Sequence, residues 1–212
     1  MKRRDPTIAQ FQESGSYRDF WDACHQRNDQ HFLTGSSGFQ IWKNLQVEDK
    51  VRKGIRVLNI GVGLGHCTRD LVSTGCKVDA LDISPVALRR VAPIVEHIWL
   101  PDQFDEMPEG VYDLVLSHLV TQHMPTSDLE KQVQYIVKGL TPTGLFAMQF
   151  SSWLPGVHAE VSTKNIKSGG MCYSQVEMQG IIERCGGHVQ KMAKIYEFPA
   201  KGSSWSIVHI TK

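Results

Sequence analysis

Three glycines at alternate positions, Gly61, Gly63 and Gly65, follow the apolar run Val57, Leu58 and Ile60. A residue without a Cβ permits a tight turn and lets a ligand approach bare backbone. A helix starting near His66 would point its free N–H groups at whatever fills that loop. Asp82 stands 21 residues after Gly61, the separation at which a carboxylate closing the next strand reaches ribose hydroxyls. A carboxylate accepts two hydrogen bonds at once, which suits a diol. Its competing role is to cap the turn at Ser84–Pro85. Three histidines add proton-handling groups, since imidazole titrates near working pH: His118 and His123 beyond a strand end, and His158 in a long loop. Such a set describes a nucleotide or adenosyl cofactor site.

The elements that must hold these residues alternate. Arg56–Ile60 reads as a first strand, with its helix over His66–Val72. Lys77–Asp82 is the second strand, and Ser84 and Pro85 have the N-cap and first-turn chemistry of a helix over Val86–Val91. Val95–Leu100 is the third strand, followed by the acidic loop Pro101–Asp105. Val111–Ser117 is the fourth, Ser127–Leu140 the next helix, and Leu145–Phe150 strand five. An irregular loop of roughly 20 residues over Ser151–Cys172 is long for a compact domain. A helix over Ser174–Cys185 then precedes strands His188–Phe198 and Ser204–Thr211, joined by a short turn and therefore antiparallel. The expectation is α/β: a mostly parallel, seven-stranded, doubly wound sheet with a C-terminal antiparallel hairpin.

Residues 1–50 have little β character and are expected to form an N-terminal helical lid or appendage, with 51–212 as the main domain. Tyr17, Phe20, Trp21 and Cys24 recur at helical spacing. They either pack on the domain or close a pocket mouth. A second helix covers Phe39–Leu45. Lys and Arg total 23 against 22 acids, so net charge is +1 and nothing recruits nucleic acid. No apolar run follows the basic start, which reads against a secretory signal. No segment approaches the length of a membrane span or offers a convincing amphipathic membrane face. The five cysteines have no metal-type spacing and fit reduced thiols in a cytoplasm. His25, Asp29 and His31 do not share one helical face, so no metal site is expected.

In order along the chain, residues 57–65 (Val-Leu-Asn-Ile-Gly-Val-Gly-Leu-Gly), Leu81-Asp82-Ile83-Ser84, Pro101–Asp105, Tyr112–Ser117 and Leu140-Thr141-Pro142-Thr143-Gly144-Leu145 resemble the motifs of the class I, Rossmann-like S-adenosylmethionine-dependent methyltransferases. The resemblance covers about residues 55–211. It implies S-adenosyl-L-methionine as cofactor. Gly61, Gly63 and Gly65 would lie along the methionine moiety, Asp82 on the ribose, and Ile83 on the adenine. Asp102 would take the adenine amino group, with the Gln103 N–H at a ring nitrogen and Asp105 as a rival for Asp102. Ser117 and His118 would face the sulfonium. One position departs from the family: Asn59 stands where an acid usually helps hold the methionine amine, so it offers a hydrogen bond without charge.

His123 corresponds to a histidine at the family's pocket rim. Its roles are general base, orienter of the acceptor, or structural support for its own loop. Tyr17, Trp21 and Trp153 are the candidates for the acceptor wall, with ordinary packing as the competing role. Aromatic walls favour a small, partly apolar acceptor. The expected function is methyl transfer to an O- or N-nucleophile of a small molecule by in-line displacement. The alternatives are an NAD-linked oxidoreductase, whose fingerprint calls for a glycine where this chain has His66, and a non-catalytic binding protein on the same fold. Oligomeric state is not encoded legibly.

Overall fold

A computed structural model describes residues 17–28, 33, 35–153, 171–198 and 203–212. The elements are α1 (Tyr17–Arg27), α2 (Gly38–Leu45), β1 (Arg56–Ile60), α3 (His66–Ser73), β2 (Lys77–Leu81), α4 (Pro85–Arg89), β3 (His97–Trp99) and β4 (Tyr112–Ser117). They continue with α5 (Thr126–Gly139), β5 (Leu140–Trp153), β6 (Cys172–Tyr173), α6 (Gln175–Arg184), β7 (His188–Phe198) and β8 (Ser203–Thr211). 3-10 segments precede β4 and α5 at Pro101–Glu106 and Thr121–His123.

The sheet runs β3-β2-β1-β4-β5-β8-β7, with β6 paired beside β5. Pairings from β3 through β5 are parallel, and β5–β8 and β7–β8 are antiparallel. The terminal hairpin is therefore as the sequence predicts. The strand count differs, eight instead of seven, because Cys172 and Tyr173 pair in parallel with Ser151 and Ser152. That pairing becomes possible because β5 continues to Trp153, three residues beyond the Phe150 expected as its end. Trp153 thus lies in a strand, opposite Ser203, and not in a loop. His158 falls outside the described residues, as do Asp29 and His31.

Alternation along the strands sends side chains to both faces, and helices cover both, which is why β1, β2 and β4 read as nearly unbroken apolar runs. On one face Leu58, Ile60, Val115, Phe146 and Met148 pack against Leu129, Val133 and Ile136 of α5 and Met178 and Ile182 of α6. On the other, Val57, Val78, Leu114 and Ala147 meet Leu71 of α3 and Ile41 and Leu45 of α2. Helix α2 is therefore built into the core layer. Ser37 caps it, its side chain accepting from Gln40 N at 3.3 Å. Helix α1 instead lies across the ends of the strands, beside α4. Among the described residues no helix is long and apolar enough to cross a membrane, and no three His, Cys, Asp or Glu side chains gather into a possible metal site.

Candidate cofactor and acceptor pocket

A cavity of about 630 Å³ opens at the carboxyl ends of β1, β2 and β4, where open α/β sheets place their ligands. Its floor is Ile60, Gly61 and Gly63. One wall is Leu81, Asp82 and Ile83, and another is His118, Leu119 and Val120. Pro101, Asp102 and Phe104 close one end, and Tyr17, Arg18, Trp21 and His25 of α1 form the roof.

The glycine loop owes its shape to two requirements. Gly61 has φ +71°, and a Cβ there would lie 2.2 Å from Val120 Cγ2. Gly63 has φ +54°, and a Cβ there would meet nothing within 4 Å. The first glycine lets the β4 loop close in, and the second leaves open space against its backbone. Gly65 does not line the pocket. At φ +79° it is the N-cap residue of α3, so it shapes the helix start. Opposite the loop, Leu119 holds φ +58°, a conformation that a side chain bearing a Cβ rarely adopts and that tends to mark functional segments.

Asp82 ends β2 and is only 7% exposed. Its Oδ1 accepts from Ser84 N at 2.9 Å and its Oδ2 from Gly63 N at 3.5 Å. Burial pushes the carboxyl up to about 6, against the pull of the Ser84, Gly63 and Val62 N–H groups, and the Asp22 charge adds to the rise. Both roles foreseen for this turn are present: Asp82 caps it by accepting from Ser84 N, and Ser84 caps the next helix, its Oγ accepting from Ala87 N at 3.2 Å. A buried carboxylate with incomplete hydrogen bonding beside an open glycine backbone fits a ribose diol, so an adenosyl group suits the residues present.

The remaining expected residues divide. Asp102 lines the pocket, with Arg18 Nη2 2.9 Å from its Oδ2, and this contact holds its carboxyl below the usual range. Gln103 does not line it: its N–H donates to Leu100 O at 2.9 Å and its side chain accepts from Leu100 N at 3.0 Å. Asp105 accepts from the Tyr135 hydroxyl. Ser117 is fully buried and behind the wall, and Trp153 is likewise absent from the lining. Asn59 is buried and donates through Nδ2 to Thr68 Oγ1 at 2.9 Å, which ties β1 to α3. Asn59→Asp puts a carboxylate at that buried position. The ligand-free Tm at neutral pH is expected to fall by several degrees. If a ligand amine lies near, the Tm rise on adding S-adenosylhomocysteine should exceed that of the parent chain. A thermal melt with and without ligand reads both.

Three imidazoles, His25, His118 and His123, touch the cavity, and burial lowers each to about 4. They are neutral at physiological pH. His118 Nε2 meets Asn44 Nδ2 at 3.3 Å, and His123 Nε2 meets Gln122 Nε2 at 3.1 Å. The Trp21 and His123 rings make an edge contact, centroids 4.9 Å apart at 72°. Trp21 and Tyr17 therefore do face the pocket, and the helical stripe continues one turn to His25. The sequence reading missed Asp128, Lys131 and Gln132 in the first two turns of α5, which also line the cavity. Polar residues on an amphipathic helix look like a solvated face; here Gln132 is buried while Asp128 and Lys131 stay exposed at the cavity rim. Tyr17 ionises less readily than usual, through burial and then the nearby Asp128 charge.

A parallel sheet with a glycine-lined crevice at its carboxyl edge and a terminal antiparallel hairpin is the class I methyltransferase fold. Residues 58–146 match the family model of a methyltransferase domain. An uncharacterized methyltransferase of Synechocystis sp. is 29% identical over 111 residues, 49% of this chain and 52% of that one. The chain thus spans about half the length of the curated relative it matches. A solved structure of a putative sarcosine dimethylglycine methyltransferase from Galdieria sulphuraria superposes with a TM-score of 0.63 at 18% identity, covering 82% of this chain and 84% of that one. Phosphoethanolamine N-methyltransferase 2 of Haemonchus contortus, in complex with S-adenosyl-L-methionine, gives 0.66 at 18% identity, over 93% and 60% of the two chains. The fold is thus that of the class I S-adenosylmethionine-dependent methyltransferases, and residues 58–146 are similar to a methyltransferase domain.

Proposed function

We propose that this pocket binds S-adenosyl-L-methionine and that the chain methylates a small-molecule acceptor bearing an oxygen or nitrogen nucleophile. The observation that carries the reading is Asp82, a buried carboxylate just past the end of β2 and in contact with the glycine-loop backbone at the cavity wall. Bound there, the cofactor supplies an electrophilic methyl group on a sulfonium. Asp82 accepts from the ribose hydroxyls, Ile83 and Phe104 pack on the adenine side, and one Asp102 oxygen remains for the amino group while Arg18 holds the other. The neutral wall of Tyr17, Trp21 and His123 keeps water from the acceptor and aligns it for in-line attack, where orientation provides much of the rate.

His123 serves this wall best as an orienting group. At about 4, its affinity for a proton is too low to draw one efficiently from a hydroxyl. An acceptor that reaches the site as a neutral amine places less demand on it. Helix α1 is the lid of the site. The five free thiols favour a reducing, cytoplasmic setting.

The test is differential melting followed by isotope-labelled methyl transfer. S-Adenosylhomocysteine should raise the Tm and NADH should not, and a screen of small amines and alcohols should yield labelled product. A melt raised by NADH alone would return the oxidoreductase reading, and binding without any product would leave a non-catalytic protein. His123→Ala is expected to bind cofactor normally and turn over 10- to 100-fold more slowly. Unchanged turnover would remove His123 from the reaction.

A further inference from the structure

Three polar contacts help to fasten helix α1 to the rest of the domain. Arg18 pairs with Asp102, a contact open to solvent, where such pairs contribute little. Arg90 Nη2 donates to His25 O at 2.6 Å and to Asn28 Oδ1 at 2.7 Å, which holds the end of the helix. Between them Asp22 Oδ1 accepts from Ser84 Oγ and, at 3.4 Å, from Val86 N. This middle contact is partly buried, and its partner Ser84 donates its own N–H to Asp82. One serine therefore stands between the lid helix and the ribose acid, with its hydroxyl on Asp22 and its amide on Asp82.

We propose that Asp22 is a positioning residue: it docks α1 on Ser84 and makes closure of the aromatic roof and occupation of Asp82 one coupled event. The inference rests on the reading of the cavity as an S-adenosylmethionine site. Its physical basis is twofold. Tyr17, Arg18, Trp21 and His25 reach the cavity from α1, so a ligand touches them only when the helix is docked, and it stabilises the docked state by that difference. The second basis is electrostatic. Asp22 is the side-chain charge acting on Asp82, and the other groups facing it are the N–H groups of Ser84, Gly63 and Val62. Above the Asp82 midpoint the two carboxylates repel across Ser84. A diol that donates to Asp82 disperses its charge and relieves that repulsion, so the helix docks more firmly over a filled site. By linkage, a docked helix retains the ligand in the same measure.

Two variants separate docking from charge. Asp22→Ala removes the acceptor for Ser84 and Val86. Dissociation of S-adenosylhomocysteine is expected to accelerate about tenfold, as for one lost hydrogen bond to a charged group. Hydrogen exchange should also show that ligand no longer protects the Tyr17–Arg27 amides. Asp22→Asn keeps an oxygen for Ser84 and removes the charge. It should restore slow dissociation, while the pH at which ligand binding is half lost moves below that of the parent chain. A merely structural contact would not move that midpoint. Asp19→Ala removes the same charge from the exposed face of α1 and should leave dissociation unchanged. Parent-like dissociation and protection in Asp22→Ala, an equal effect of Asp19→Ala, or an unmoved midpoint in Asp22→Asn would each overturn the proposal. If the parent chain fails to bind S-adenosylhomocysteine, the functional reading falls by itself. Exchange in the ligand-free chain, expected to be faster over α1 in Asp22→Ala, would still decide whether Asp22 holds the helix.

Discussion

Asp82→Ala is expected to weaken S-adenosylhomocysteine binding about 100-fold, measured by titration calorimetry at pH 7.5. Two hydrogen bonds from a diol to an ionised acceptor are lost together, at about 1.5–3 kcal/mol each with some repaid by water. The same residue sets a pH dependence whose sign is fixed by its environment. Burial raises the folded-state midpoint to about 6, and only the ionised form accepts from both hydroxyls. Binding is therefore full above that midpoint and declines as pH falls through it. Stability of the ligand-free chain runs the other way. A carboxyl raised on folding favours the folded state below its unfolded midpoint and loses that contribution as pH rises through about 6. Asp82→Asn should consequently melt higher than the parent at pH 7.5 and close to it at pH 4. The three buried histidines have the opposite sign, since lowered midpoints give stability that is lost on acidification from about 6.5 to about 4. The comparison must be made between parent and variant at each pH, where the histidines cancel. Equal melting at both pH values would show that Asp82 is not held in a dry site.

Much of this site was legible because backbone chemistry wrote it into the sequence. The strand β1 was bounded correctly from Arg56 to Ile60, and Asp82 was placed at the end of its neighbour, because apolar runs end where the chain must turn toward a ligand. The hairpin was legible for a related reason: a short connection between two strands allows only antiparallel pairing. What failed was residue-level detail that depends on neighbours distant in sequence. Gln103 looked like a contact for the adenine ring, yet its side chain and N–H both turn back on Leu100, closing a 3-10 turn that no periodicity announces. Trp153 looked like a loop residue because nothing in its own segment shows that β8 continues to pair with β5 as far as Ser203. The first two turns of α5 looked solvated. The burial of Gln132 among them, and the attachment of α1 through Asp22, are products of packing between elements distant in sequence.

Gly61→Ala should be among the most damaging alanine substitutions at the described glycines. The position has φ +71°, so any Cβ there meets its own backbone, and the added carbon would lie 2.2 Å from Val120 Cγ2. The neighbouring strands resist relaxation. Gly61 N donates to Leu81 O at 2.8 Å, and Ile60 is in register with both Leu81 and Ser117. Strain in φ costs about 1 kcal/mol and overpacking about 1–3 kcal/mol, so destabilisation of about 2–4 kcal/mol is expected in chemical denaturation, with cofactor affinity reduced at the same time. The two contributions are separable because the clash is with one side chain. Val120→Ala removes the Cγ atoms that the new methyl group would meet, so Gly61→Ala combined with Val120→Ala should recover the overpacking part of the loss and leave the φ part. That coupling, read as a double-mutant cycle, should be about 1–2 kcal/mol. Gly63→Ala is the comparison within the same loop. Its φ of +54° carries a similar backbone strain, but a Cβ there has open space, so its stability loss should be smaller while its loss of ligand affinity is at least as large. If the two alanine variants were equally stable, the β4 loop would have to yield freely at Val120. The left-handed Leu119 beside it would then be a point of give, and the close approach of β4 to the glycine loop would not be what holds the pocket floor in place.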